Sequence, residues 1–279
     1  MKGLAYYNGV FGSREDISIP LSDRSIFFGD GIYDAAIGKN GKVFLLEEHV
    51  DRLLGNAKRL GIPCALTKEK LSELLTECAQ RSGIEHFFLY FQLTRNSAAR
   101  THSALNANGS NLLITVDPFA LPNPSKRISL ITAQDLRYYY CDIKTLNLLP
   151  AVIASTEAEK SGAYEAVFLR GDTVTECAHS NISILKDGIL YTHPTNNLIL
   201  PGITRKHLLM ACDALGIEYK EIPFSKSDLF AADEVVVTST SKLCLFADNI
   251  DEIAVGGKDI PTAKAISDYM LGEFVHYYL

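Results

Sequence analysis

Apolar positions along the chain alternate between two periods. From Glu47 to Leu60 they fall at Val50, Leu53, Leu54, Ala57 and Leu60, one face of a helix, and Gly61 and Pro63 stop it. Thr67–Arg81 predicts a second helix, with Thr67 as its cap and Gly83 beyond its end. Glu85–Thr94 and Asn111–Asp117, rich in aromatic and branched residues, predict strands. Asn8-Gly9 sits between Tyr6-Tyr7 and Val10-Phe11, a hairpin signal, because both residues tolerate the positive φ of a tight turn. Asn40-Gly41 likewise separates Ile32–Lys39 from Lys42–Leu46.

Pro118, Pro122 and Pro124 then stiffen a connection and mark a domain boundary. Beyond it, Arg127–Ala133 predicts a strand and Leu148–Ser161 a helix with Pro150 in its first turn. Tyr164–Arg170 and Thr173–Thr175 pair across Gly171-Asp172, and Asn181–Lys186 and Ile189–Thr192 pair across Asp187-Gly188. Ile203–Leu215 predicts a helix ending at Gly216. Glu234–Thr238 and Leu243–Ala247 predict strands, and Pro261–Tyr278 a last helix. The mixture predicts an α+β, two-domain chain: a small α+β domain over 1–118, a linker over 119–125, and a larger, α/β-barrel-like domain over 126–279.

Composition narrows the function. The chain has 279 residues, is 47% hydrophobic and carries a net charge of −6, which disfavours nucleic acid as a partner. Its 6 cysteines form no Cys-x-x-Cys pair, so neither a zinc site nor a disulfide scaffold is expected. The amino-terminal residues lack the apolar core of a signal peptide, and no apolar run reaches the ~18 residues of a membrane span. A cytoplasmic protein without membrane contact is expected.

Candidate chemistry centres on Lys144, set in the run Cys141-Asp142-Ile143-Lys144-Thr145-Leu146-Asn147-Leu148-Leu149. A lysine among apolar neighbours is either a snorkelling surface residue or an amine able to form a Schiff base with a carbonyl. A phosphorylated aldehyde cofactor such as pyridoxal phosphate needs that amine, an anion beside its ring nitrogen and a phosphate cup. Glu176, which follows a strand in Thr173-Val174-Thr175-Glu176, is the candidate anion; a solvated strand-end acid is the alternative. Pro201-Gly202-Ile203-Thr204-Arg205 opens a helix whose free N–H groups suit a phosphate, and Thr238-Ser239-Thr240-Ser241 adds hydroxyls after a strand. Arg52 either adds positive charge or is an ordinary helix-surface arginine. Arg100 and His102, two apart in a loop, with Tyr33 as a phenol, are candidates for gripping a carboxylate; a solvated basic loop is the alternative.

With these residues in view, the chain resembles the fold-type IV pyridoxal-phosphate enzymes, most closely their D-amino acid aminotransferase branch. The resemblance runs over nearly the full length. It rests on Asp23-Arg24, Phe28-Gly29-Asp30-Gly31-Ile32-Tyr33, Glu48-His49-Val50-Asp51-Arg52-Leu53, Phe91-Gln92-Leu93-Thr94-Arg95, Arg100-x-His102 and the Lys144 run. Thr173–Glu176, Asp187–Pro194, Gly202–Arg205 and Val237–Thr240 continue it in order.

The resemblance implies that Lys144 holds pyridoxal 5'-phosphate and moves the substrate proton, that Glu176 pairs with the ring nitrogen, and that Arg52, Ile203, Thr204 and Thr240 hold the phosphate with Ser239 close by. It implies that Tyr33, Arg100 and His102 trap the substrate α-carboxylate, the last two reaching in from the other subunit of a homodimer. Transamination between D-amino acids of the D-alanine type and 2-oxo acids such as 2-oxoglutarate or pyruvate, in a ping-pong cycle, is the implied reaction. An aminodeoxychorismate lyase, or an aminotransferase for L-branched-chain amino acids or (R)-amines, is the alternative on the same fold. Two departures bear on substrate preference: Tyr140 replaces an arginine, and Cys177-Ala178-His179-Ser180 replaces a serine-rich run.

Overall fold

The computed structural model describes residues 3–278. Contacts divide them into two units. One holds the chain up to Ala120 with Ile143–Asn147 and Tyr278, and the other holds Leu121–Asp142 and Leu148–Tyr277.

The first unit is built from β1 (Leu4–Tyr7), β2 (Val10–Gly12), α1 (Arg24–Phe28), β3 (Gly31–Lys39), β4 (Lys42–Val43), α2 (Leu46–Leu60), α3 (Lys68–Ser82), β5 (His86–Thr94) and β6 (Asn111–Pro118). Its sheet has the order β2-β1-β6-β5-β3-β4, and every strand pair in it is antiparallel. The hairpin at Asn8-Gly9 forms as expected, with φ of 45° and 95°. Helix α2 turns His49, Val50, Leu53, Asn56 and Ala57 inward, a stripe one helical face wide. Val50 and Leu53 reach 0% exposure against Phe87, Leu89 and Phe91 of the sheet. Each such side chain contributes about 1.5–3 kcal/mol by leaving water. Thr67 caps α3 by accepting from Lys70 N, as its position predicts.

Strand β3 pairs with β4 only at Gly38 and Lys39, so its opening residues keep an unpaired edge in the strand order. Ile143–Asn147 fills that edge. Tyr33 N donates to Lys144 O at 3.0 Å, Leu146 N donates to Gly31 O at 3.1 Å, and Ile32 bridges Thr145. Buried Ile143 anchors the segment in the first core.

The second unit contains β7 (Ile128–Gln134), α4 (Leu149–Lys160), β8 (Glu165–Arg170), β9 (Thr173–Cys177), β10 (Asn181–Lys186), β11 (Ile189–Thr192), α5 (Ile203–Leu215), β12 (Glu218–Glu221), α6 (Lys226–Ala231), β13 (Glu234–Ser239), β14 (Leu243–Ile250), β15 (Ile253–Ala254) and α7 (Ile260–His276). The sheet order is β12-β11-β10-β13-β14-β7-β8-β9, with β15 on β14. Five strand spacings therefore separate β10 from β9, ~24 Å if the sheet were flat. Yet only residues 178–180 connect the two, a reach of at most ~14 Å. The sheet has to curl back on itself around the core of Val235, Val237, Leu245 and Val167. Helices α5 and α7 cover one outer face through Leu208, Cys212, Ile266 and Met270.

Four short elements are absent from the periodicity: α1, α6, β12 and β15. Helix α6 forms because Ser225 and Asp228 make a reciprocal capping box. Strand β9 also runs further than expected, so Glu176 lies inside it rather than after it.

Candidate active site

In the first unit, Lys144 rides on the edge of β3 through the Tyr33 N–H bond. Its Nζ stands 4.4 Å from the centroid of the Tyr33 ring, within the range of a cation–π contact. Tyr33 is itself stacked on Tyr90 at 5.4 Å, so the phenol beside the amine is held from both sides. Desolvation, followed by the Tyr33 phenol beside it, pushes the Tyr90 phenol well above its ordinary range.

The next residue of β3, Asp34, points to the other face of the strand and is fully buried. It accepts from Arg52 Nε at 2.7 Å and Nη2 at 2.8 Å, and from His49 Nδ1 at 2.8 Å. His49 and Arg52 lie three apart on α2, one turn of the inward face. Burial would raise the Asp34 carboxyl, but the charges of Arg52 and His49 and their hydrogen bonds outweigh it and hold it far below the ordinary carboxylate range. Burial lowers His49 below its ordinary 6.5 despite Asp34. Arg52 is thus no surface arginine. Asp34 and His49, which build its setting, were missed by the sequence reading. Their signal was one acid in the otherwise apolar run Gly31–Ile37.

Arg100 and His102 share a loop and a platform. The Arg100 guanidinium lies 5.6 Å from the rings of Phe27 and Phe28, and the His102 ring lies 5.5 Å from Phe28. Both side chains are exposed. Among the described residues, neither makes a hydrogen bond, ion pair or ring contact with Tyr33 or Lys144.

In the second unit, Glu176 is 5% exposed. Its Oε2 accepts from Asn181 Nδ2 at 2.9 Å and from Leu200 N at 3.0 Å, and its Oε1 accepts from Arg137 Nη1. Three donors on one buried carboxylate favour its ionised form. Arg137, also missed in the sequence, spans Glu176 and Asp135, to which it donates through Nε and Nη2 at 2.9 Å each. The solvated strand-end acid is therefore ruled out for Glu176.

Helix α5 opens at Gly202, with Ile203 and Thr204 buried and no side chain capping its first N–H groups. A Cβ on Gly202 would stand 1.9 Å from Asn181 Oδ1, so the backbone needs glycine to pass this close to the amide that serves Glu176. Strand β10 pairs Asn181 with Thr238, which places the end of β13, and so Ser239 and Thr240, beside the same residues. The Thr238 hydroxyl is buried without a hydrogen-bond partner. An uncapped helix start, a close-packed glycine and hydroxyls at a strand end fit a phosphate. A buried anion held ionised fits a ring nitrogen. The donor set of this chain therefore suits pyridoxal 5'-phosphate.

A buried cluster backs this region. Lys242 Nζ donates to Glu165 Oε2 at 2.5 Å and to Ser180 Oγ at 2.8 Å, and stands 3.0 Å from His179 Nδ1. It ties residues 178–180, next to Glu176, to the turn after Thr240. His179 thus stands over Glu165, with half its side chain exposed. No group of His, Cys, Asp and Glu among the described residues is arranged to hold a metal ion.

This pattern agrees with the comparisons. The model of the family described as Amino-transferase class IV matches residues 31–250. A D-alanine aminotransferase from Listeria monocytogenes serotype 4b (strain F2365) is 37% identical over 274 residues, 96% of this chain and 95% of the relative. One from Bacillus licheniformis is 36% identical over 265 residues, covering 93% of each. Among solved structures, a T.th. branched-chain amino acid aminotransferase complexed with N-(5'-phosphopyridoxyl)-L-glutamate superposes with a TM-score of 0.90 at 24% identity. That match covers 97% of this chain and 93% of the other. The Escherichia coli branched-chain enzyme gives a TM-score of 0.87 at 23% identity, over 98% and 94%. The chain belongs to the class IV aminotransferase family and has the two-domain α+β fold of fold type IV.

Proposed function

We propose that this protein transaminates D-amino acids of the D-alanine type with 2-oxo acids, in a ping-pong cycle that uses pyridoxal 5'-phosphate. The observation that carries the reading is Glu176: a buried carboxylate held by Arg137, Asn181 and the Leu200 N–H, within a chain whose D-alanine aminotransferase relatives match it almost end to end. Bound pyridoxal phosphate supplies an electron-withdrawing pyridinium ring that acidifies the substrate Cα–H.

The chain's own residues do the rest. Lys144 Nζ is the amine that would hold the cofactor's aldehyde carbon, and as a free amine it would take the proton from the substrate Cα and return one. Glu176 keeps a proton on the ring nitrogen. Ile203 and Thr204, through the α5 N–H groups, and Ser239 and Thr240, through the turn after β13, bind the phosphate, with Arg52 adding charge. Asp34 fixes the Arg52 fork in one plane. Tyr33, Arg100 and His102 bind the substrate α-carboxylate.

A homodimer, with Arg100 and His102 serving the partner's site, belongs to the same reading. The exposed apolar face of α4 supports it: Leu149, Val152 and Ile153 are 69%, 56% and 57% exposed, more than a lone chain leaves clustered in water. A cytoplasmic location is supported by six free cysteines. Among the described residues no helix is long and apolar enough to cross a membrane.

Lys144→Ala tests the assignment. It is expected to abolish transamination of D-alanine, and wild-type turnover in that variant would refute it. L-Leucine, an (R)-amine and aminodeoxychorismate, assayed beside D-alanine, separate the reading from its alternatives on this fold.

A further inference from the structure

Arg24 is 3% exposed although it stands at the first position of a five-residue helix. A buried guanidinium is retained only where its donors are used. Arg24 Nε donates to Asp30 Oδ2 at 2.7 Å, Nη1 to Thr101 O at 2.7 Å and Nη2 to His102 O at 3.3 Å. Its Cζ lies 4.7 Å from the centroid of Phe28, the ring that also meets Arg100 and His102. The anchor behind Arg24 is firm. Asp30 is also bound by Arg95 Nε at 3.1 Å, and Arg95 donates onward to Gly61 O and Leu60 O at the end of α2.

Arg100, Thr101 and His102 are all exposed, so burial does not hold the loop. Two of its carbonyls hang from one planar fork whose third edge is fixed on Asp30. We infer that Arg24 is a positioning residue for the carboxylate trap: it sets the direction of Arg100 and His102 by holding the backbone beneath them, with Phe28 as the shared platform. The inference rests on the reading of Arg100 and His102 as that trap. A lysine could not substitute, because one ammonium does not present three donors in a plane to a carboxylate and two carbonyls.

The test uses the holoenzyme and the variants Arg24→Lys, Arg100→Ala and Arg24→Lys/Arg100→Ala. Arg24→Lys is expected to raise the KM for D-alanine about 10-fold, leave kcat within about 2-fold, and leave the affinity for pyridoxal phosphate unchanged. Amide hydrogen exchange of residues 100–103 should quicken. If Arg24 acts through Arg100 and His102, the KM increase in the double variant is smaller than the product of the two single increases; a role confined to general stability would give the full product. An unchanged KM in Arg24→Lys beside a raised KM in Arg100→Ala would overturn this inference and spare the trap. An unchanged KM in Arg100→Ala would remove the trap and the inference with it. Should Arg24→Lys fail to fold, Asp30→Asn carries the test, since it loosens the fixed edge of the Arg24 fork and leaves Arg24, Phe28, Arg100 and His102 unchanged. A raised KM there supports the inference, and an unchanged KM overturns it.

Discussion

Arg137 lies across two buried carboxylates of the second unit, donating to Glu176 through Nη1 and to Asp135 through Nε and Nη2. Burial would raise the Asp135 carboxyl, but Arg137's hydrogen bonds and charge hold it below its ordinary value. Arg137→Met leaves Glu176 without its cation and Asp135 with Arg170 alone, at 3.2 Å. The expected loss is about 3–5 kcal/mol of unfolding free energy, read from urea denaturation of the cofactor-free protein. A shift below about 1 kcal/mol would show that water or a neighbour replaces the guanidinium.

Gly202→Ala places a methyl group where Asn181 Oδ1 now stands. Asn181 then has to move, and with it the N–H bond to Glu176. Pyridoxal phosphate affinity is expected to fall about 10-fold or more, measured by absorbance titration, with little change in the helix content of α5. Unchanged affinity would place the cofactor elsewhere.

The Asp34–His49 pair sets an acid limit. His49 is held below its ordinary 6.5 in the fold. Below that value the unfolded chain binds a proton that the folded chain does not, so stability falls as pH drops through 6.5. His193, also lowered by burial, acts in the same sense. Asp34 is depressed, so its contribution is full above 3.8 and is lost only in stronger acid. The Tm is therefore expected to decline from about pH 7 to about pH 5, and His49→Gln should flatten part of that slope. A wild-type Tm constant over this range would contradict the account.

Lys242 and Glu165 form a buried pair, with side chains 4% and 0% exposed. Lys242→Met strands the carboxylate, at an expected cost of about 3–5 kcal/mol. His179, half exposed on the same acid, should cost under about 1 kcal/mol as His179→Ser. Thermal melts of the two variants check the contrast, and equal losses would contradict it.

Much of this molecule is written locally. The Val50–Ala57 stripe, the Asn8-Gly9 turn and the Gly216 stop each carry their own signal within a few residues. Lys144, Glu176 and the Gly202–Thr204 helix start were ambiguous one by one, and their expected roles came from the family resemblance along the whole chain. The residues that hold them are not local. Arg137 meets Glu176 across 39 positions and Lys242 meets Glu165 across 77, and only the folded sheet brings them together. Arg24 gave no sign in its own neighbourhood that it would hold a loop 77 positions away. Helix α1 was missed for a related reason: Asp23, whose side chain caps it, is fixed by Thr94 and Asn111 rather than by nearby sequence.

The central claim is best tested by handedness. Holoenzyme is titrated first with D-alanine and then, in a fresh sample, with L-alanine while the cofactor's absorbance is followed. Rapid conversion of the cofactor band by D-alanine, with little change from L-alanine, is the predicted result. Conversion by L-alanine alone, or a protein that binds no pyridoxal phosphate, would contradict the account.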